Sequence, residues 1–371
     1  MKRRLHFNTI IVVCTFLLTG CWDEKMLKDT RFILTVSYDK DKDGYISGTY
    51  STPNSNNYPN SSIVTTVKGK TVNNVSEKVN RKVAETLDVS KVNIVFLAEK
   101  LVKEDGLYPY LDVFIRRPNN PINPYLVITE GKADGYVKDP IPNEGIPSIY
   151  YRGLIESEID KGLYTNMNIF QASRIFDDSR ADIVVPYMKK SKSDNTPVVG
   201  GLALFDTDKF SGEILNPNES ILFNLLAGNK AKINPLMYKK LWDDQDPTIE
   251  DYASFSVLRN KKKMKLDVKN GKVKGTIHMK LAIEVIEYPI GDVVDQEKKI
   301  EEKLSKVLTK DANEVIKKLQ KANCDGLSIG LRLHSFHYNE YKKMKWKETD
   351  YKNADIKANV EVEILKHGLV E

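Results

Sequence analysis

Cysteine is scarce: only Cys14, Cys21 and Cys324 occur in 371 residues. The first two fall in or beside a leader-like segment. Cys324 is then left alone, and no intrachain disulfide can brace the mature chain. Long apolar runs are also lacking. The one sustained stretch, Ile10 to Leu18, is far short of the roughly twenty residues that a membrane-spanning helix needs. Charge of one sign is lacking too. The 57 Lys and Arg against 51 Asp and Glu give +6, but without Lys2, Arg3 and Arg4 only 54 basic side chains face 51 acidic ones. So small a surplus gives no grounds for a nucleic-acid partner. Histidine numbers five, and no Gly-x-Ser-x-Gly, His-Glu-x-x-His or paired-cysteine pattern occurs. No enzyme, cofactor or metal centre is expected.

What is present is globular. A chain 41% hydrophobic and 29% charged can bury real cores, which excludes wholesale disorder and rod-like repeats, and its length suits two or three domains. Lys2, Arg3 and Arg4 followed by the short apolar run make an export signal. The run ends in Leu18-Thr19-Gly20-Cys21, which has the form of a lipobox. Small residues at 19 and 20 fit a peptidase cleft, and the Cys21 thiol can accept a diacylglyceryl group. Two acyl chains suffice to hold a folded body on a membrane. The plainer alternative is an ordinary exported protein with a chance cysteine near the cut.

Along the mature chain, strands are expected at 31–38, 46–51 and 63–68, a helix over 72–87, and strands at 92–96 and 125–129. Helices follow at 149–163 and 169–176, then strands at 183–186, 198–205 and 210–215. Proline clusters or acidic runs at 139–147 and 243–248 punctuate the chain. Asn270-Gly271 between Met264–Val268 and Val273–Ile283 predicts a hairpin with Val268 opposite Val273. Ile300, Leu304, Val307, Leu308, Val315, Ile316 and Leu319 draw one stripe on a helix about 37 Å long. Asn323-Cys-Asp-Gly326 closes it, and Ile356, Ala358, Val360, Val362 and Ile364 alternate with polar residues as a final one-sided strand. The expectation is an α+β protein of three mixed α/β domains. The boundaries are 1–20 for the signal, then 21–140, 141–248 and 249–371, the last domain being a sheet on a long amphipathic helix.

Few residues offer chemistry. Asp39 to Gly44 has an acidic spacing faintly like a calcium loop, but Tyr50 stands where the bidentate glutamate belongs, which leaves a hairpin turn. Gly200-Gly201 lacks the spacing of a phosphate loop and suits a bulge or close backbone packing. His334 and His337 could offer two imidazoles on one helical turn, yet no third ligand stands near, so a polar helix face is the simpler reading. Cys324 lacks a histidine or cationic partner and reads as a buried small residue. Lys261-Lys262-Lys263 with Lys265 is the densest basic run; it is either a solvated strand lead-in or a contact for anionic lipid or an acidic partner.

Several short patterns follow one another along the chain: Leu18-Thr-Gly-Cys21-Trp22-Asp23, Val113-Phe-Ile-Arg116, Gly131-Lys-Ala133, and Gly201-Leu-Ala-Leu-Phe205 with Phe210-Ser-Gly-Glu-Ile-Leu215 and Glu219. Gln320, Asp325-Gly-Leu-Ser-Ile-Gly330 and Trp346 complete the set. In this order they resemble the Ger(x)C spore-germination lipoproteins, the C subunits of nutrient germinant receptors. The sequence departs from the family at Arg117 and Pro118 to Pro124, where an acidic residue would follow Arg116. The resemblance implies attachment through diacylglyceryl-Cys21 to the outer face of the inner spore membrane. It also implies assembly with a multi-pass A subunit and a permease-like B subunit, and it brings no catalytic residues. The rival reading is a solute-binding lipoprotein of an ABC importer. That class needs two similar lobes, and the last third here does not repeat the first half.

Overall fold

The computed structural model describes residues 29–54, 61–116, 121–141, 145–176, 178, 180–229, 231–239, 252–289 and 293–367. The signal segment, Cys21 and the acidic break at 243–248 lie outside the described residues.

Two sheets carry the molecule. The larger has eight strands. Four at its centre run parallel: β2 (Thr35–Lys40), β6 (Ile94–Ala98), β7 (Tyr125–Thr129) and β8 (Val184–Lys190). Strands covered on both faces need unbroken apolar runs, and Ile-Val-Phe-Leu-Ala of β6 is buried at every position. Antiparallel strands finish both edges. β3 (Ile46–Pro53) and β4 (Ser62–Gly69) extend it beyond β2, while β9 (Pro197–Asp206) and β10 (Lys209–Leu215) extend it beyond β8. The expected boundary at 140/141 therefore falls within one sheet, because β7 and β8 hydrogen-bond directly.

Local signals explain most of the elements. Thr71 caps α1 (Val72–Asn80), and Val72, Val75 and Val79 face the core. The helix ends seven residues before the predicted limit of 87. There the Asn80 side chain accepts the Leu87 N–H at 3.0 Å, and Leu87 sits in a short strand, β5 (Thr86–Asp88), paired with β1 (Thr30–Phe32). Tertiary pairing overrides the helical spacing of Val83 and Leu87. Two further helices, α2 (Glu99–Glu104) and α3 (Tyr108–Arg116), were not anticipated; they connect β6 to β7. α4 (Gly135–Lys138), α5 (Pro147–Asp160) and α6 (Ile169–Phe176) connect β7 to β8. α7 (Pro217–Ala227) begins with a full capping box between Asn216 and Glu219.

The second sheet has the order β11 (Pro235–Lys239), β12 (Tyr252–Lys269), β13 (Lys272–Glu287), β14 (Asp355–Lys366). The hairpin register is the expected one, with Val268 opposite Val273 and both Asn270 and Gly271 at positive φ. The hairpin begins earlier than expected, however, because β12 starts at Tyr252. The long helix α8 (Val293–Lys321) buries Leu304, Leu308, Val315 and Leu319, while Lys306, Lys310 and Lys317 are exposed and Lys303 is half-buried. Beside that apolar stripe runs a polar one at every fourth residue. Glu301 accepts the Ile364 N–H at 2.7 Å and Ser305 the Val362 N–H at 3.0 Å. Thr309 takes the Val360 N–H at 2.9 Å and Asn313 the Ala358 N–H at 3.0 Å. A sheet edge left open invites pairing with another chain; here one helix packs on the sheet and closes its β14 edge.

Candidate functional site

The end of α8 builds a buried polar cluster around Asp325. Asn323, at φ +54°, breaks the helix, and the Cys324 N–H returns to the Leu319 carbonyl at 2.9 Å. This turn drives Asp325 inward until it is fully buried. Its carboxylate accepts the Ile329 N–H (2.8 Å) and Gly330 N–H (2.7 Å) at the start of α9 (Ile329–Phe336), and the Trp346 indole N–H at 2.9 Å. A Cβ at Gly330 would stand 2.5 Å from the Trp346 indole nitrogen, so only glycine fits. Burial pushes Asp325 up to about 6, against the pull of its three donors.

From there the cluster reaches the large sheet. The Asp325 N–H donates to Asp182 at 2.6 Å, just before β8, and Asp182 also accepts the Thr207 N–H at 2.9 Å. Lys347 pairs with Asp182, reaches Asp206 at 3.2 Å and donates to the Asn323 carbonyl at 2.7 Å. Burial alone would depress the Lys347 pKa. The two carboxylates outweigh it and hold the ammonium charged. Asn323 donates to Asp206 at 3.0 Å, Tyr351 donates to the Cys324 carbonyl at 2.7 Å, and Gln320 donates to the Ala354 carbonyl at 2.7 Å. Two further bridges tie α8 to the same side, Lys318–Glu219 at 2.7 Å and Lys321–Glu213 at 2.6 Å.

A second clasp lies inside the large sheet. Asp39, at the end of β2, accepts the Ala133 N–H at 2.7 Å and the Asp134 N–H at 2.9 Å. Glu99 takes the Gly131 N–H at 3.0 Å and the Tyr187 hydroxyl at 2.7 Å. Burial pushes Asp39 up to about 6 in spite of its two donors.

Beside the first cluster opens a cleft of about 620 Å³, whose lining includes Asn166, Gln171, Arg174, Asp178, Asp182 and Ser328. Both carboxylates are engaged: Asp178 grips Arg180 at 2.5 and 2.8 Å, and Asp182 serves the cluster. These groups fix one body against another; none is a nucleophile paired with a base.

The singled-out residues fall as follows. Cys21 lies outside the described residues. The Cys324 thiol is buried, 3.7 Å from the Ile183 carbonyl, and burial pushes its pKa well up. His334 Nδ1 faces the Arg180 guanidinium at 2.9 Å and therefore accepts, which occupies it. Gly201, at φ +119°, lies at a bulge where a Cβ would stand 1.8 Å from the Leu215 carbonyl oxygen, as close packing requires. The Asp39 to Gly44 segment is the β2–β3 turn, with Asp41 accepting the Asp43 and Tyr45 N–H groups. Arg116 bonds Asp112 one turn back, at 2.6 Å. The lysine run is divided by strand alternation: Lys261 and Lys263 are exposed, while Lys262 turns inward to the Leu226 and Ala227 carbonyls at 2.8 and 2.7 Å. Asp182, Lys347 and the clasp role of Asp39 were not anticipated. Asp182 and Asp325 are 143 residues apart, and no local pattern connects them.

Known proteins share this arrangement of chain. Two family models match in tandem, the spore germination protein N-terminal domain over residues 23–190 and the spore germination B3/GerAC-like C-terminal domain over 200–368. The spore germination protein GerQC of Bacillus cereus is 24% identical over 376 residues, covering 100% of both chains. The spore germination protein KC of Bacillus subtilis (strain 168) is 24% identical over 406 residues, covering 100% of this chain and 97% of that one. The crystal structure of the GerBC protein shares the fold, with a TM-score of 0.57 at 17% identity over 92% of this chain and 100% of its own. Matched from residue 23 to residue 368 and along the full length of these relatives, the chain belongs to the GerAC, or Ger(x)C, family of spore germination proteins.

Proposed function

We propose that this chain is the lipid-anchored C-type subunit of a spore nutrient germinant receptor. In this reading diacylglyceryl-Cys21 holds it on the outer face of the inner spore membrane, where it assembles with a multi-pass A subunit and a permease-like B subunit. Its work is interaction rather than catalysis. The observation that carries the reading is positional: the tandem family match begins at residue 23, two residues after the cysteine of Leu18-Thr-Gly-Cys21. No described helix is long and apolar enough to cross a membrane. Two acyl chains on one cysteine give stable attachment where a single chain gives only reversible binding.

The test is the mass of the N-terminal tryptic peptide of the protein recovered from spore membranes. The reading predicts a peptide running from Cys21 to Lys25 and carrying a diacylglyceryl group. A mature terminus at another residue, without lipid, would overturn the anchor.

A further inference from the structure

The solvent face of the second sheet carries lysines that no acid answers. β12 runs without a bulge from Arg259 to Lys269, so Lys261, Lys263 and Lys265 share one side of it, about 7 Å apart in turn. The hairpin register sets Lys272 opposite Lys269 and Lys274 opposite Asp267, on that same side. All five of these lysines are exposed. Lys262 belongs to the other side of β12, where the α7 carbonyls hold it. The acids beside the five are already engaged. Asp267 pairs with Lys269 and Asp355 with Lys357, both at 3.1 Å, while Glu361 and Glu363 share Lys280. Among the described residues, Lys261, Lys263, Lys265, Lys272 and Lys274 have no ion pair.

The tip of this hairpin stands at the end of the molecule where the described chain begins. β2, β6, β7 and β8 are parallel, so they all start at one end of the large sheet. At that end β1 pairs with β5, and the Asn93 N–H, just before β6, donates to the Leu34 carbonyl at 2.8 Å. At that end too Asp182, just before β8, holds the Asp325 N–H. Gln320, one turn before, donates to the Ala354 carbonyl, and the next residue, Asp355, lies opposite Lys274. The hairpin tip and β1 therefore share one end of the sheet. In the lipid-anchored reading Cys21 to Lys28 joins β1 to the acyl chains, and eight residues span at most about 29 Å. That end of the body is held close to the membrane.

The residue types select a bilayer rather than a protein. Protein interfaces are depleted in lysine and enriched in aromatic, methionine and arginine side chains. The unpaired cations here are all lysines. The exposed large hydrophobics of β12, β13 and β14 are Leu258, Ile286 and Leu365, towards the other end of the sheet. Ammonium groups on flexible stems, spread over a sheet face without an apolar anchor, suit fluid headgroups that offer negative charge and no fixed pocket.

We propose that the lysine face at the tip of the β12–β13 hairpin rests on anionic lipid headgroups and so orients the anchored body on the membrane. Its position rests on the lipid-anchored reading; the contact itself is a second, charge-dependent attachment.

The test uses the full mature protein extracted from spore membranes and returned to nanodiscs, of phosphatidylcholine alone or of phosphatidylcholine mixed with phosphatidylglycerol. Acetylation of each lysine by an amine-reactive ester is followed by mass spectrometry. In the mixed discs the five lysines are expected to react about fivefold more slowly than in phosphatidylcholine, the factor that one lysine gains near an anionic surface. Lys306 and Lys310 of α8 are expected to react equally in both. Salt at ~1 M, where the Debye length is about 3 Å, is expected to abolish the difference. In the variant Lys261→Gln/Lys263→Gln/Lys265→Gln the melting temperature is expected to be unchanged, while Lys272 and Lys274 lose their protection. Entry into phosphatidylcholine discs reads the acyl anchor alone, because that lipid has no net charge. A chain that stays out of them contradicts the anchor, and its lysine face is then read in mixed discs against buffer. Equal labelling with and without phosphatidylglycerol would overturn the lysine face. Protection seen in native spore membranes but absent from mixed discs would overturn it too, and would assign the face to an acidic protein.

Discussion

Asp325 and Asp39 are buried carboxylates doing the same physical job at opposite ends of the large sheet. Asp39 holds backbone N–H groups 94 and 95 residues away, Asp325 holds those at the start of α9 together with the Trp346 indole, and each is pushed up to about 6 by burial. An aspartate ordinarily titrates near 3.9 in an unfolded chain. A folded pKa raised above that value means the native state binds the proton more tightly. The resulting stability is fully present below about 4 and is lost as pH rises through about 6. Relative to Asp39→Asn, the parent should therefore lose stability across this window by up to about 1.4 kcal/mol per pH unit. Urea unfolding of both proteins at several pH values checks this; a constant difference from pH 4 to 7 would contradict it. The Gly131-Lys-Ala133 and Asp325 to Gly330 patterns were visible in the sequence as resemblance alone. Their purpose was not, because Ala133 meets Asp39 from 94 residues away and Asp325 meets Asp182 from 143. Spacing along a chain carries no sign of such pairs.

Elements with a strong period were legible. The α8 stripe and the β14 alternation repeat over many residues, and Asn270-Gly271 specifies a tight turn, so helix, strand and register agree with the structure. Short elements were legible only where they are continuous apolar runs, as in β6 and β7; α2 has six residues and β5 three, too few for a period to show. The polar ladder of α8 was missed for another reason. Glu301, Ser305, Thr309 and Asn313 look like an ordinary wet face until β14 is known to end the sheet beside them. Leu308, 2% exposed, is expected to cost about 2–5 kcal/mol when cut to alanine. Lys306→Ala should leave the melting temperature within error, and equal curves for Leu308→Ala and the parent would contradict the packed helix. Thr309→Val keeps the shape but removes the acceptor of the Val360 N–H, and should cost about 1–3 kcal/mol. Denaturant titration measures it, and no change would mean that the edge is satisfied without the helix.

At the scale of the whole molecule, the Asp182–Lys347–Asp325 cluster joins the large sheet to the C-terminal unit, and the Lys318–Glu219 and Lys321–Glu213 bridges lengthen the contact. Between residues 190 and 200, where the two family matches meet, the chain only turns from β8 to β9 within the large sheet. The molecule is thus held by contacts that cross its sequence divisions, which suits a scaffold that presents fixed surfaces to partners. The most direct measurement of its proposed role is germination of spores from which the gene has been deleted, scored against a panel of amino acids, sugars and nucleosides. The account predicts loss of the response to at least one nutrient class, restored by the parent chain and not by Cys21→Ala. Deleted spores that answer every nutrient as the parent does would contradict it.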